Sequence, residues 1–336
     1  MRERSVPRPL SLGCAMAFAV SGRWHSYPVT AQDIRGVTRA PGRQVWGPLV
    51  GLWLLWGSTY LATAILIRSV PPLLGSGLRF LAAASLLAVI LAIVRGPGVL
   101  RITLAQLRST ATMGVMLLGV GIGTVALSER YVPSGVIALI VAVNPLWIIV
   151  FRMRAGERPS RPTLVGVSVG MLGLAFMMLP GGTQAVSGTD ADVAFWSLAM
   201  LCSSFCWAFF SWRSSRYDLP KNTLVTTLYE MGAGGVALLV VGLLTGERLH
   251  MDQVQSGSAW AWVYLVVASL LGYSAYTWLL GNAPLSLVST YAYVNPVVAV
   301  FLGWLIIGEP VTSDVILGLT VVVGGVVLVV SGERRR

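Results

Sequence analysis

The sequence predicts an all-α polytopic membrane protein, with ten transmembrane helices arranged as two inverted five-helix repeats. Three observations carry that expectation. The 336 residues are 55% hydrophobic and only 11% charged, whereas a soluble domain averages roughly 25% charged residues. Apolar stretches long enough to cross a bilayer as helices recur ten times between short polar loops. A shift of 151 positions lays Trp56 on Trp207, Arg79 on Glu230, Pro133 on Pro284 and Asn144-Pro145 on Asn295-Pro296. One inserted residue later, Gly156-Glu157 falls on Gly308-Glu309, Gly166 on Gly318 and Gly173 on Gly325. Each half therefore carries an odd number of crossings, and the second half must enter the membrane from the opposite side.

Residues 1–45 hold seven Arg and two acids, and their apolar run from Leu10 to Val20 is too short to span. They are expected to be a disordered cytoplasmic extension. The first repeat covers 46–180. Its spans are 46–67, which opens on Trp46, then 72–94, 107–127, 133–151 and 163–180. Gly119-x3-Gly123 in the third span and Gly166-x3-Gly170 in the fifth read as small-residue faces for close helix approach. The second repeat, 193–332, holds spans 193–212, 223–245, 259–281, 287–307 and 313–331, the last with Gly324-Gly325 as a further small-residue face. Trp260 and Trp262 read as interfacial anchors. In helices 4 and 9, Pro145 and Pro296 each delete a backbone donor and are expected to bend the helix at its middle.

The net charge of +11 does not point to nucleic acid, because the basic residues alternate by loop. Arg95, Arg101 and Arg108, then Arg152, Arg154, Arg158 and Arg161, then Arg213, Arg216 and Lys221, then Arg334 to Arg336 fall on one side; Arg68, Arg130 and Arg248 fall on the other. The positive-inside rule then places both termini in the cytoplasm of a cell bounded by an inner (plasma) membrane. Other functions are disfavoured. Lys221, the only lysine, follows Pro220 rather than a phosphate-binding glycine loop, which excludes ATP hydrolysis by a P-loop. His25 and His250 lie in loops and Cys202 and Cys206 lack companion ligands, so no metal or other cofactor is expected. No nucleophile–base pair lies within the spans, so an enzyme is not expected.

Trp56-Gly57-Ser58-Thr59-Tyr60, Val70-Pro71-Pro72, Leu78-Arg79-Phe80, Asn144-Pro145 and Gly156-Glu157-Arg158-Pro159 in the first half resemble the EamA-type repeat of the drug/metabolite transporter superfamily. So do Tyr291-Ala292-Tyr293-Val294-Asn295-Pro296 and Gly308-Glu309-Pro310 in the second. The resemblance covers residues 46–332. It implies two inverted five-helix repeats, a central cavity, alternating access and export of small metabolites. The second half departs from it at Trp207-Ala208-Phe209.

Two ionisable side chains fall well inside the expected spans, Arg79 and Glu230, each roughly 12 Å deep at 1.5 Å per residue. A central charge costs on the order of 2.5–3.5 kcal/mol, so neither should face lipid. They are expected either to line the solute path, Arg79 attracting a carboxylate and Glu230 a cation or coupling proton, or to fix helix packing through internal partners. Asn144 and Asn295 are candidates to hold either the freed backbone or a ligand. Trp56, Trp207, Tyr276 and Tyr291, with Ser58 and Thr59 beside the first tryptophan, complete the candidate binding set, and their aromatic faces suit an uncharged or zwitterionic organic solute. Glu157 and Glu309 read as helix caps. The expected partners are a small-molecule solute and the lipid bilayer, with no nucleic acid. The expected activity is secondary export of small organic metabolites, amino acids or drugs. An importer of the same solutes, or a receptor that binds without flux, would share this architecture.

Overall fold

The computed structural model describes residues 42–132, 137, 140–178, 189–302, 305 and 313–334. The N-terminal extension as far as residue 41, Pro133, Gly308-Glu309-Pro310 and Arg335-Arg336 lie outside the described residues. Among the described residues the chain is helical, with no strand. Helix α1 is Gly42–Leu66, α2 is Pro72–Arg95, α3 is Leu104–Ser128, α4 is Asn144–Arg154 and α5 is Arg161–Met178. In the second half α6 is Asp190–Arg213, α7 is Thr223–Leu244, α8 is Ser256–Asn282, α9 is Tyr291–Leu302 and α10 is Ser313–Arg334. Six of them, α1, α2, α3, α6, α7 and α8, are long and apolar enough to cross a membrane.

The helix starts follow capping chemistry. Thr103 with Gln106 and Thr189 with Asp192 form capping boxes at α3 and α6, and the Asn222 side chain accepts from Leu224 N at α7. Helix α2 has proline at its start and no cap of its own. Glu247, from the chain beyond α7, supplies one instead: its Oε2 accepts from Leu74 N at 2.9 Å and its Oε1 from Leu73 N at 3.3 Å. A carboxylate at a helix N-terminus also meets the positive end of its dipole. The middle of α3, Val115–Ile122, is wound as a π-helix, which rotates its glycines toward α6 and α7.

The two Asn-Pro prolines sit differently in their helices. Pro296 lies inside α9. Pro145, in contrast, occupies the first turn of α4 after a break at Ala142-Val143, where its missing donor costs nothing. Glu157 does not cap the helix that follows it. It pairs with Arg152, whose Nε donates to its Oε2 at 2.7 Å, while Gly156 closes α4 at φ 82°, a conformation open to glycine.

Helix packing repeats with the halves exchanged. Helix α1 packs on α8 and α9, and α6 on α3 and α4; α2 meets α8 as α7 meets α3; α2 pairs with α7 and α5 with α10. The last two pairs are antiparallel. A Cβ on Gly166 would lie 2.6 Å from Gly325 O, and one on Gly173 would lie 2.9 Å from Gly318 O, so α10 descends as α5 rises. Likewise α2 advances from Leu73 to Leu81 while its α7 contacts retreat from Gly242 to Gly235. Gly324 meets nothing within 4 Å, so Gly325 alone of that pair serves the interface. Because the atoms against Gly325 are the backbone of Gly166 and Gly170, neither side can yield. Gly325→Val is expected to cost about 1–3 kcal/mol, read as a lower melting temperature in detergent. Large apolar side chains cover the outside, among them Ile93, Leu172, Leu198, Leu244 and Val327, as a lipid-facing surface requires.

Candidate functional site

Between the halves lies a cavity of about 100 Å3. It is walled by α1 (Trp56 to Thr63), α2 (Arg79, Phe80), α3 (Leu118 to Ala126, then Glu129), α6 (Met200 to Trp207), α8 (Ala268 to Tyr273) and the paired asparagines. These positions fall in the later turns of α1 and α3, the earlier turns of α2 and the middle of α6 and α8. On α1, α2 and α3 the cavity therefore sits toward the bundle end that carries Leu66, Pro72 and Ser128. That end is fastened by Ser258 Oγ donating to Ile65 O at 2.8 Å and Trp262 Nε1 donating to Gly75 O at 3.2 Å, so Trp262 is more than an interfacial anchor.

The floor toward the other end is aromatic. The Trp56 ring centroid lies 5.7 Å from that of Trp207, 5.0 Å from Tyr276 and 4.8 Å from Tyr291, and Trp207 lies 5.5 Å from Tyr276. Such edge and tilted pairs stabilise beyond the area they bury. Each indole rests on a glycine of the opposite half: Trp56 on Gly272 of α8, and Trp207 on Gly121 of α3. Gly121 and Gly272 are themselves related by the shift of 151 positions. A side chain on either would drive into an indole ring, since the nearest ring atoms are 2.8 and 2.6 Å from the ideal Cβ positions.

The polar wall is incomplete in a specific way. Arg79 is 5% exposed, yet its Nε and Nη1 have no hydrogen-bond partner. Glu129 Oε2 and Asn295 Oδ1 are buried and equally unpartnered. Arg79 and Glu129 face the same space and act on each other through charge, without closing onto one another. The Arg79 guanidinium carbon lies 4.7 Å over the Phe80 ring, a partial compensation only. Buried polar atoms are normally satisfied, because leaving one bare costs its desolvation. The wall thus presents Arg79, Glu129, Asn295 and the indole Nε1 of Trp207 with unspent hydrogen-bonding capacity, which a polar molecule in the cavity would satisfy.

The expected site residues divide accordingly. Trp56, Thr59, Arg79, Asn144, Trp207, Tyr291 and Asn295 all line the cavity. Ser58 does not: its Oγ donates to Leu55 O at 2.8 Å and bonds the Tyr264 hydroxyl, because it sits on the α8 side of α1. Tyr276 lies beneath the cavity, where its hydroxyl bonds Ser211. Glu230 is also set back, 1% exposed, accepting from the Tyr273 hydroxyl at 2.9 Å, with Tyr273 standing between it and the cavity. The two asparagines differ although their motifs match. Asn144 is partnered at both ends of its amide: Ser204 donates to its Oδ1 at 2.7 Å, and the Tyr291 hydroxyl accepts from its Nδ2 at 3.4 Å. Asn295 keeps a free carbonyl. Glu129 was not among the expected residues, because it follows the apolar stretch of α3 and precedes Arg130, where it reads as a loop charge; its repeat counterpart is Leu280.

Known proteins resemble the chain along nearly its whole described length. The EamA-like transporter family matches residues 48–179 and again 194–331. YedA, an inner membrane transporter of Escherichia coli strain K12 described as uncharacterized, is 36% identical over 290 residues, covering 86% of this chain and 91% of YedA. YoaV, an uncharacterized transporter of Bacillus subtilis strain 168, is 27% identical over 289 residues, 83% of this chain and 94% of YoaV. A solved crystal structure shares the fold with a TM-score of 0.72 at 20% identity, spanning 87% of this chain and 98% of that one. With both halves of the chain matched and a relative at 36% identity, the chain belongs to the EamA-like transporter family.

Proposed function

We propose that this protein is a secondary transporter of the plasma membrane that exports a small organic solute by alternating access. In this reading the chain crosses the membrane ten times, the halves are inverted, and both termini are cytoplasmic. The carrying observation is the cavity between the halves, where Arg79, Glu129 and Asn295 offer unpartnered polar atoms above an aromatic floor. Inversion is supported by the exchange of helix partners and by the antiparallel α2–α7 and α5–α10 pairs. The inner membrane location draws on the name of the YedA relative and on the alternation of loop charge.

With cytoplasmic termini, the cavity lies toward the outer end of the bundle and the floor of Trp56, Trp207 and Tyr276 lies on its cytoplasmic side. Ser203→Cys is therefore expected to react with a membrane-impermeant maleimide added from outside, and reaction only from the cytoplasmic side would overturn the orientation. Transport is tested by growth of an overexpressing strain on a panel of toxic amino-acid analogues and drugs, followed by flux in liposomes. Tolerance with outward flux supports export, sensitivity with inward flux converts the reading to import, and absence of flux for every compound leaves a binding protein.

Proton coupling, where present, runs through Glu230 in this reading. The Tyr273 hydroxyl connects it to the cavity, so the carboxyl can exchange a proton without touching the solute. Glu230→Gln is expected to abolish the response of flux to an imposed pH gradient while solute binding persists. Unchanged pH dependence would remove Glu230 from the mechanism.

A further inference from the structure

Resting on the transport reading, we propose that Arg152 and Ser286 form a latch that holds the cytoplasmic side shut. Around the cavity the helices fall into two groups, α1 with α8 and α9, and α3 with α4 and α6. Alternating exposure of the cavity requires one group to slide or rock against the other. A contact that crosses between them in one state only shifts the balance toward that state.

Arg152 makes such a contact. It lies two turns beyond Asn144, about 12 Å along α4. Its neighbour Phe151 packs on Phe209 and Trp212, past the Trp207 of the floor. Glu157 accepts from Arg152 Nε at 2.7 Å and so holds the guanidinium in place from the α4 side. Across the gap, Arg152 Nη1 donates to Ser286 Oγ in the short helix Leu285–Val288 that joins α8 to α9. Leu285 packs against the cluster of Ile148, Phe151 and Ala208, which adds apolar contact beside the bond. Nearer the floor the hydroxyls of Ser211 on α6 and Tyr276 on α8 share a hydrogen bond.

The chemistry suits a contact that must break and re-form. Arg152 is buried in this closed arrangement, and one bond from a charged donor shifts an equilibrium by about tenfold to a hundredfold. Parting the groups admits water to the guanidinium, which stays paired with the half-buried Glu157, so no charge is stranded. The repeat does not copy the latch. A mirrored one would need a hydroxyl at the position related to Ser286 and a cation near the end of α9. Gly135 stands at the first, and no arginine or lysine occurs between Arg248 and Arg334. The unmatched contact therefore favours the state with the cytoplasmic side shut.

The test uses the full-length chain in membrane vesicles of both orientations. Ser203→Cys is the reporter, with Cys14, Cys202 and Cys206 replaced by serine. Its rate of reaction with a membrane-impermeant maleimide is measured from each side. Ser286→Ala removes the crossing bond and keeps the Arg152–Glu157 pair. It is expected to raise the ratio of cytoplasmic to outer rate at least about tenfold. Arg152→Gln should move the ratio the same way, and Ser286→Thr, which keeps a hydroxyl, should hold it within about twofold of the parent. Two results overturn the latch: a ratio in Ser286→Ala within about twofold of the parent, or both rates rising together with a lower melting temperature, as looser packing alone would give. In a second arm without the reporter, Arg152→Cys with Ser286→Cys is bridged by a reducible bifunctional thiol reagent. Bridging should stop flux and reduction should restore it, whereas flux that persists through complete bridging overturns the latch. Absence of flux from the parent for every compound defeats the transport reading, while the sidedness of the Ser203→Cys reaction still decides the latch.

Discussion

Gly114→Val is expected to do more damage than any other single substitution in the bundle. The helices α3 and α7 run side by side, and an ideal Cβ on Gly114 would sit 2.1 Å from the carbonyl oxygen of Glu230 and 2.8 Å from its Cα. The contact is reciprocal, since a Cβ on Gly234 would lie 2.7 Å from Gly114 O and 2.6 Å from Leu118 Cβ. Backbone stands on both sides, so no side chain can rotate away and the helices themselves must part. Overpacking a core costs about 1–3 kcal/mol when side chains can adjust; here the cost should reach or pass the upper end. By the scaling of soluble domains that is a fall of about 6–12 °C in melting temperature. The displacement also moves Glu230 away from Tyr273, so any proton-linked flux should disappear with the stability. A variant that melts within about 2 °C of the parent would show that the helices do not approach so closely.

The second large effect has opposite signs for stability and function. Arg79 is held with two unused donor atoms and Glu129 with one unused acceptor atom, and both carry desolvation costs that no protein group returns. Removing one charge alone would strand the other. Removing both, as in Arg79→Met with Glu129→Met, replaces two mismatched charges by apolar groups of similar reach. Replacements of this kind in buried charge clusters are neutral or stabilising by about 1–4 kcal/mol. The double variant is therefore expected to melt no lower than the parent while flux falls at least about a hundredfold, the loss of two charge-assisted contacts. Detergent melting curves beside liposome flux decide it. Retained flux would show that the two groups are structural, and a sharp drop in melting temperature would show that they support the fold through contacts beyond the cavity.

Much of the architecture was legible because duplication writes itself twice. The Trp, Asn-Pro and Gly positions that recur after 151 or, past one inserted residue, 152 positions are those that meet at the seam between halves: Trp56 and Trp207 in the floor, and Gly166 and Gly173 against Gly325 and Gly318. Recurrence marks positions under a shared geometric demand. It does not say that both copies do the same work. Asn144 and Asn295 read identically, yet Ser204 and Tyr291 partner both ends of the first while the second keeps a free acceptor. Pro145 opens a helix and Pro296 lies within one, because the chain breaks at different points ahead of each.

Arg79 and Glu230 were paired by the repeat, but their surroundings are not alike. One faces the cavity, and the other accepts from a tyrosine hydroxyl while its backbone packs against Gly114. Glu129 escaped notice for the opposite reason: it has no repeat partner and sits one residue beyond the apolar part of α3, so hydropathy assigns it to a loop. Ser58 was drawn in by its neighbours Trp56 and Thr59, although along a helix adjacent residues point in different directions.

The sequence by itself determined that this is a helical membrane protein made of two related halves, because apolar length, sparse charge and internal periodicity are properties of the chain that need no partner. Only the tertiary structure decided which polar groups face the cavity, which are saturated and which are left open. That outcome depends on the rotation of each helix about its axis and on what the opposite half places against it, and neither is written in any single segment.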